Sequence, residues 1–226
     1  MILVDKPVGM SSFGVVAKVR GALKAQLGHK VKVGHTGTLD PFATGLLILL
    51  TGKMTKKSSE FLKLDKEYIA TMKLGYTSTT GDPEGQIQLY STRGASPRQA
   101  AGSLCLNAIE SVLGGFTGKI SQTPPKYSAI KIGGERAYKL ARKGAEFEMP
   151  KREVEIYEIE VVKYDWPELT IRCHVSSGTY IRTLAEDVGE ALGVGAYLTA
   201  LRRTKIGKYD IKDAMVFIDG WDVSLL

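Results

Sequence analysis

The apolar residues of this 226-residue chain change spacing several times, and this change is what most constrains its fold. Between Ser11 and Gly28 the apolar residues recur at helical intervals, whereas Leu46–Leu50 is a continuous apolar run typical of a buried strand. From Tyr68 to Leu74 the pattern alternates, as in a strand with one face inward. Helices and strands therefore follow each other without a regular strand–helix repeat, which predicts an α+β fold with a mixed sheet.

The second half of the chain adds further elements of both kinds. Strands are predicted at about Val154–Tyr164 and Leu169–Val175, the second of which alternates cleanly. A helix is predicted from Ser96, where a capping serine is followed by proline and, three residues on, by glutamine, to about Leu113. Another helix should begin at Ile181 and end before Gly193.

The positive charge of the chain is concentrated in a few segments. The formal net charge is 31 − 24 = +7. Residues 1–60 and residues 118–152 each hold nine Lys/Arg and three acids, so each carries +6, whereas residues 153–168 carry −5. Such segregation favours a positive face for a polyanion, although lysines scattered over a solvated surface remain the alternative. The 118–152 segment is poorly periodic and is predicted to be an insertion that stands off the core.

Several classes of protein are disfavoured by the sequence. The longest near-continuous apolar run, Gly45–Leu50, is too short to cross a bilayer, and no secretion signal is evident at the N-terminus. The two cysteines, Cys105 and Cys173, form no ligand-spaced set with the three histidines. We therefore expect a cytoplasmic protein with reduced thiols, no metal and no cofactor.

The segment Gly34–Gly45 is the most informative for chemistry. Three glycines and one proline within twelve residues predict a tight loop that lets the backbone approach a ligand. Asp40 precedes Pro41, which biases it towards extended backbone at the start of an apolar strand. This carboxylate is a candidate catalytic group with restricted access to water. The simpler interpretation also stays open: Asp40 caps the turn at Pro41, and His35 satisfies loop carbonyls.

This loop and several other blocks resemble the bacterial tRNA pseudouridine synthases of the TruB family. The blocks occur in the family's order from Leu3 to about Asp210, which is nearly the whole chain. Besides Gly34–Gly45 they are Asp5–Ser12, Lys66–Tyr68, Gln122–Ala129, Ser177–Arg182 and Leu201–Arg203.

The resemblance implies a fold and a reaction. The fold would be a mainly antiparallel central sheet flanked by helices, in a single catalytic domain over residues 1–226 with an RNA-clamping insertion at about 118–152. The reaction would isomerise one uridine in the T-loop of tRNA, at position 55, to pseudouridine, with base flipping and without a cofactor. We expect a monomer that needs no protein partner and lacks the family's usual C-terminal RNA-binding domain.

The resemblance also implies roles for individual residues. Asp40 would be the catalytic aspartate, acting as nucleophile or base, and Arg182 its cationic partner. Tyr68 would stack on the flipped base, and His35 would wedge into the T-loop. Tyr180 and Leu201 would be pocket walls, although plain core packing is an equally simple interpretation of Leu201.

Further residues are expected at the RNA backbone or in a structural role. The expected backbone contacts are cations of the insertion and of the last block, namely Lys126, Lys131, Arg136, Arg202 and Arg203. Lys6 and Pro7 resemble a family motif with a mainly structural role. Two other functions remain open, a related synthase that acts on a different RNA and a non-catalytic module that binds the T-arm and assists RNA folding.

Overall fold

A computed structural model describes residues 1–91 and 104–216 of the chain. The chain forms two compact units, one of Met1–Ile69 with Leu201–Leu226 and one of Ala70–Ala200. The helix predicted from Ser96 to about Leu113 starts outside the described residues. Within them, residues 104–105 are not helical, and a helix begins only at Leu106, so the prediction is wrong at those two residues. Within the described ranges, no helix has the length and apolar character that crossing a membrane requires.

The described helices and strands follow one another in a mixed order along the chain. They are β1 (Ile2–Lys6), α1 (Ser12–Leu27), β2 (Val33–His35), β3 (Thr44–Thr51), α2 (Ser58–Leu62), β4 (Lys66–Leu74), β5 (Tyr76–Ser78), β6 (Ile87–Leu89), α3 (Leu106–Gly114), β7 (Gly118–Gln122), β8 (Lys131–Ile132), β9 (Glu135–Arg136), α4 (Ala137–Arg142), β10 (Arg152–Asp165), β11 (Glu168–Val175), α5 (Ile181–Ala191), β12 (Ala196–Ile206), β13 (Tyr209–Asp210) and β14 (Met215–Val216). Short 3-10 turns cover Gly52–Lys57 and Ile211–Asp213.

Helix α1 confirms the helix predicted between Ser11 and Gly28. The Ser11 hydroxyl accepts a hydrogen bond from the Gly14 N–H at 3.0 Å, which caps the first turn. Gly28 ends the helix in the left-handed conformation, with φ +73°, and donates its N–H to the Lys24 carbonyl. The buried valines of α1 pack into an apolar cluster with residues of β1, β2 and β3.

In the first unit, β3 is the strand about which the sheet is built. The strand order is β14-β1-β3-β12, with β1 antiparallel and β12 parallel to β3. Leu47 and Leu49 lie in the cluster under α1, whereas the three other buried apolar residues of the strand belong to a second cluster with Ile206. Both faces of β3 are therefore buried, which explains why its sequence is continuously apolar rather than alternating.

In the second unit, β11, β10 and β7 form an antiparallel array. The buried residues of β11 alternate, as the sequence predicted, and α3 packs against β10. Strand β7 pairs with the start of β10, where Gln122 lies opposite Arg152. Gly118–Gln122 therefore belongs to the sheet, and the segment that leaves it is limited to residues 123–151.

The strand pairs show the predicted fold class. Antiparallel pairing joins β1 to β3, β2 to β3, β10 to both β7 and β11, and β12 to β13. Parallel pairing joins β1 to β14 and β12 to β3. A mixed, mainly antiparallel sheet with helices confirms the expected α+β class.

Candidate active site

The loop that carries Asp40 lies between two paired strands of the first unit. Strand β2 runs antiparallel to β3, with His35 opposite Leu49, so residues 36–43 form the connection between them. The Asp40 carbonyl accepts a hydrogen bond from the Ala43 N–H at 3.1 Å, which closes a turn, and Asp40 itself is half-buried. Asp40 therefore lies on a closed turn and is partly shielded as a residue, and the restricted access of water to its carboxylate stays a prediction.

Ser12 fixes the residue that precedes this aspartate. The Ser12 hydroxyl donates to the Leu39 carbonyl at 2.9 Å and accepts from the Leu39 N–H at 2.8 Å. Both residues are buried. One hydroxyl therefore bonds both the N–H and the carbonyl of a single residue, which fixes the two peptide groups immediately before Asp40.

The buried ammonium of Lys6 holds the peptide on the other side of Asp40. Its Nζ donates to the carbonyls of Pro7 at 2.8 Å, Met10 at 2.6 Å and Pro41 at 3.3 Å, and the side chain has no exposed surface. An ammonium has three donors, so these carbonyls accept all three. This geometry agrees with a structural role for Lys6 and places a positive charge beside the Asp40 loop.

The prediction that Arg203 contacts RNA does not fit its position in the structure. Arg203 is 1% exposed, and its guanidinium donates to the carbonyls of Leu46 at 2.8 Å and Gly37 at 3.1 Å. Gly45 packs against its backbone so closely that an added Cβ would lie 2.3 Å from the Arg203 carbonyl oxygen. We therefore assign Arg203 to holding the loop, because its donors face the protein interior.

Arg202, by contrast, points its guanidinium to a surface carboxylate. Its two terminal nitrogens donate to the two carboxylate oxygens of Asp5 at 3.2 and 2.6 Å, and its side chain is 43% exposed. This bidentate geometry fixes the Arg202 guanidinium against Asp5, which lies in β1. Contact with an RNA phosphate remains a prediction for Arg202.

The apolar residues expected around the substrate are buried. Tyr68 is 8% exposed on the inward face of β4, as its alternating pattern predicted, and Leu201 is equally buried on β12. His35 is half-buried, and its Nδ1 accepts a hydrogen bond from the Gly37 N–H at 3.4 Å.

Lys66 is a second buried lysine in the same unit, and its interior position was not predicted. Its Nζ donates to the carbonyls of Leu62 at 2.7 Å and Leu64 at 2.5 Å. Burial first, and then the charge of Arg203, lower the pKa of Lys66 to about 8, against an opposing contribution from Asp65. Lys6, Lys66 and Arg203 thus give the interior of this unit a strongly positive character that favours an anionic group in contact with it.

In the second unit, Arg182 is the centre of a buried polar network. Its guanidinium donates to the Asp82 carboxylate at 3.0 Å, the Thr80 carbonyl at 3.0 Å and the Tyr127 carbonyl at 2.8 Å. The side chains of Arg182 and Asp82 are 6% and 4% exposed. Asp82 also accepts from the Thr80 hydroxyl and the Glu84 N–H, so both partners are held in place.

Asp82 is a functional candidate that sequence reasoning missed. It lies 100 residues from Arg182 in the chain, within a stretch that the sequence marked only as a loop or hairpin. A signal was present, because Gly81-Asp82-Pro83 repeats the pairing of an aspartate with a following proline seen at Asp40.

Tyr180 is positioned through its backbone. The Gln122 side chain donates to the Tyr180 carbonyl at 3.1 Å and accepts from the Tyr180 N–H at 2.8 Å. Gln122 is 1% exposed, and Tyr180 precedes the first turn of α5. This amide pair therefore fixes the entry into the helix that carries Arg182.

The three cations predicted on the insertion are exposed. Lys131 and Arg136 are direct partners across the β8–β9 hairpin, where like charges repel. The Nζ of Lys126 lies 6.0 Å from the centre of the Phe147 ring. Their exposure and mutual repulsion suit them to an anionic partner.

Glu186, on α5, is the most perturbed acid described in this unit. Its carboxylate lies against Gly81, where an added Cβ would be 2.8 Å from Oε1. Burial, and next the charge of Asp187, raise the pKa of Glu186 to about 7, while Arg182 lowers it and Asp82 raises it. The folded protein therefore binds a proton at Glu186 at neutral pH more readily than the unfolded chain does.

We expect Glu186→Gln to stabilise the protein at alkaline pH. The pKa of Glu186 is about 7 in the folded protein, against an ordinary value of 4.5. The contribution of Glu186 to the free energy of unfolding is therefore fully present below pH 4.5 and is lost as the pH rises to 7. At pH 8 the variant should melt about 2–4 °C above the wild type, as roughly 1 kcal/mol would produce, and the difference should vanish towards pH 4.5. Thermal melts across this range measure it. Glu190→Gln, at an exposed position of the same helix, is the control, and a constant offset for Glu186→Gln would contradict the assignment.

Sequence comparison identifies two family profiles along the chain. Residues 23–181 match the TruB family pseudouridylate synthase N-terminal domain, and residues 182–219 match the tRNA pseudouridylate synthase B C-terminal domain. A protein named tRNA pseudouridine synthase B from Desulfotalea psychrophila is 47% identical over 225 residues, covering 97% of this chain and 86% of the relative. Another of that name, from Bacteroides thetaiotaomicron, is 45% identical over 95% of this chain and 88% of its own length.

Solved structures of lower identity share the fold. A chain of a Cbf5-Nop10-Gar1 complex superposes with a TM-score of 0.68 at 30% identity, over 96% of this chain and 51% of its own length. A chain of an H/ACA RNP bound to a substrate RNA containing 2'-deoxyuridine gives a TM-score of 0.66 at 29% identity. The match covers 95% of this chain and 50% of that chain. The chain thus spans about half the length of these structural relatives. On the extent of the profile match and the identity to its sequence relatives, the chain belongs to the TruB family of pseudouridylate synthases.

Proposed function

We propose that the chain isomerises one uridine in the T-loop of tRNA, position 55, to pseudouridine, with Asp40 as the catalytic residue. The observation that carries the proposal is the construction around Asp40, which Ser12 and Lys6 anchor on either side. Membership of the family supports the reaction class, and the name tRNA pseudouridine synthase B of the relatives described above supports tRNA as the substrate.

The chemistry requires an ionised carboxylate at Asp40. The N-glycosidic bond between N1 and the sugar breaks, the uracil turns, and C5 joins the sugar. C5 then loses its proton and N1 takes one up, so the reaction is a net isomerisation that consumes no oxidant. Asp40 either attacks the base or the sugar as a nucleophile, or removes a proton from the sugar. A cation beside a desolvated carboxylate keeps it charged, and we propose Arg182 for that role.

The base has to leave the stack before a carboxylate can reach it. We propose that Tyr68 stacks on the flipped uracil, that His35 wedges into the T-loop, and that Tyr180 and Leu201 bound the pocket. The burial of Tyr68 and Leu201 supports an apolar cavity, since stacked bases are received by flat or apolar side chains.

One assay separates this proposal from its alternatives. Tritium release from 5-tritiated uridine in a T-arm hairpin would be followed with EDTA present and no other protein. Tritium release under these conditions supports an enzyme that acts on tRNA without a partner protein. Tight binding without tritium release indicates a non-catalytic module that assists RNA folding. Turnover that appears only on a different RNA, or only with added proteins, indicates a relative of the guide-directed synthases.

Replacing Lys126, Lys131 and Arg136 together with alanine should weaken substrate binding. Each phosphate contact contributes about −0.7 to −0.9 to the slope of log affinity against log salt, so the slope should flatten by up to about 2–3 units. The dissociation constant for a T-arm hairpin, measured between 50 and 200 mM salt, tests this. An unchanged slope would show that the insertion is not the RNA-binding surface.

A further inference from the structure

The N-terminal part of the chain has a strong excess of positive charge that the proposed site does not use. Between Asp5 and Glu60 there are nine Lys/Arg residues and one carboxylate, that of Asp40. Lys6 is buried, and the other eight are exposed: Lys18, Arg20, Lys24, Lys30, Lys32, Lys53, Lys56 and Lys57.

Helix α1 directs part of this charge to one side. Its buried valines face the cluster under the helix, and Phe13, Arg20 and Lys24 recur at intervals of seven and four residues on an exposed side. The Arg20 guanidinium lies 5.9 Å from the centre of the Phe13 ring, which is 65% exposed. An exposed aromatic ring with a cation over it is a combination that RNA-binding surfaces use for stacking and phosphate contact.

The segment after α1 extends the same surface. Lys30 and Lys32 follow the helix, and the Lys32 carbonyl accepts a hydrogen bond from the Gly52 N–H at 2.8 Å. That bond brings the turn Gly52–Lys57, which carries three more exposed lysines, next to Lys32. Lysines from segments that are far apart in the sequence are therefore carried on neighbouring stretches of backbone.

The position of α1 relative to the Asp40 loop sets a distance. Ser12, at the start of α1, bonds Leu39 next to the candidate catalytic residue. At a rise of about 1.5 Å per residue, Arg20 and Lys24 lie roughly 12 and 18 Å along the helix axis from Ser12. Cations at that distance do not reach the reacting nucleotide, but they can reach phosphates further along the same RNA.

We propose that this face of α1 and the segment after it (Phe13, Arg20, Lys24, Lys30 and Lys32) is a second RNA-binding surface, which contacts the substrate backbone about 10–20 Å from the reacting nucleotide. The inference rests on the proposed function, because it takes the same tRNA as the ligand. Apart from Phe13 and Leu27, the exposed uncharged positions of α1 are small or polar (Ala17, Gly21, Ala25 and Gln26), so the helix lacks the broad apolar face that a membrane-bound helix presents.

Reversing two charges tests the proposal. With a full tRNA transcript, Arg20→Glu/Lys24→Glu should raise Kd about tenfold or more and reduce the steepness of the salt dependence by about 1.5–2, the contribution of two phosphate contacts. The loss should be smaller for a minimal T-arm hairpin, since fewer of its phosphates lie that far from the target uridine. Arg20→Gln/Lys24→Gln should show an intermediate loss and verify that charge is responsible.

Lys163→Glu provides the control, since it makes a reversal of the same kind at an exposed position in the acidic strand β10. Its Kd and salt slope should match those of the wild type. Unchanged tRNA binding by the double variant would overturn the proposal, and an equal loss on hairpin and tRNA would overturn the assigned distance. Wild-type turnover is measured first, because its absence contradicts the proposed function rather than this surface.

Discussion

Asp40→Asn should abolish pseudouridine formation while leaving the fold and RNA binding intact. Asparagine matches aspartate in size but carries no charge, so it can neither attack the substrate nor accept a proton. Removing a group with that role costs at least about 10²–10⁴-fold in rate. Tritium release measures turnover, hairpin binding measures affinity, and circular dichroism verifies the fold.

A second variant distinguishes chemistry from positioning at the same loop. His35→Ala should lose only part of the activity, about tenfold, because its proposed role is to hold the flipped nucleotide. Full turnover by Asp40→Asn would end the catalytic assignment. Equal severity of the two variants would show that the proposed division of labour is incorrect.

Asp82→Asn should destabilise the protein strongly and lower its activity. The Arg182 guanidinium is 6% exposed, so removal of its carboxylate partner leaves a buried charge uncompensated. Breaking a buried pair in this way costs about 3–5 kcal/mol, or roughly 6–20 °C in Tm for a chain of this length. Thermal melts and turnover at a temperature well below the variant's Tm measure the two effects separately.

An exposed ion pair of the same unit is the matched control. Arg172 and Glu160 lie 2.9 Å apart with side chains that are 42% and 45% exposed. Glu160→Gln should therefore change stability by less than about 1 kcal/mol. If the two variants destabilise equally, burial is not what makes the Asp82–Arg182 pair important.

Elements whose pattern is local were predictable from the sequence. The residues that cap α1, Ser11 and Gly28, stand directly before and after it in the sequence. The alternation of apolar residues along β4 correctly placed Tyr68 on the buried face. The loop around Asp40 was predictable for the same reason, since glycine and proline restrict backbone conformation within a few residues.

Interactions between distant segments were not predictable in the same way. Arg203 carries a charge that usually lies at the surface, and only the carbonyls of Leu46 and Gly37, far away in the sequence, make its burial possible. The contact between Asp82 and Arg182 spans 100 residues, so no local pattern indicates it. Prediction failed where a polar side chain obtains its partners through the fold.

The loop that carries Asp40 is held by two segments that are far apart in the sequence, and this has a consequence for its biosynthesis. Lys6 anchors it from the first strand, and Arg203 anchors it from a strand that emerges from the ribosome some 160 residues after Leu46. Chains arrested before Arg203 therefore lack a support of the loop, however well their earlier segments have folded. Catalytic competence should therefore be acquired only after the segment that carries Arg203 has been made and has folded against the loop.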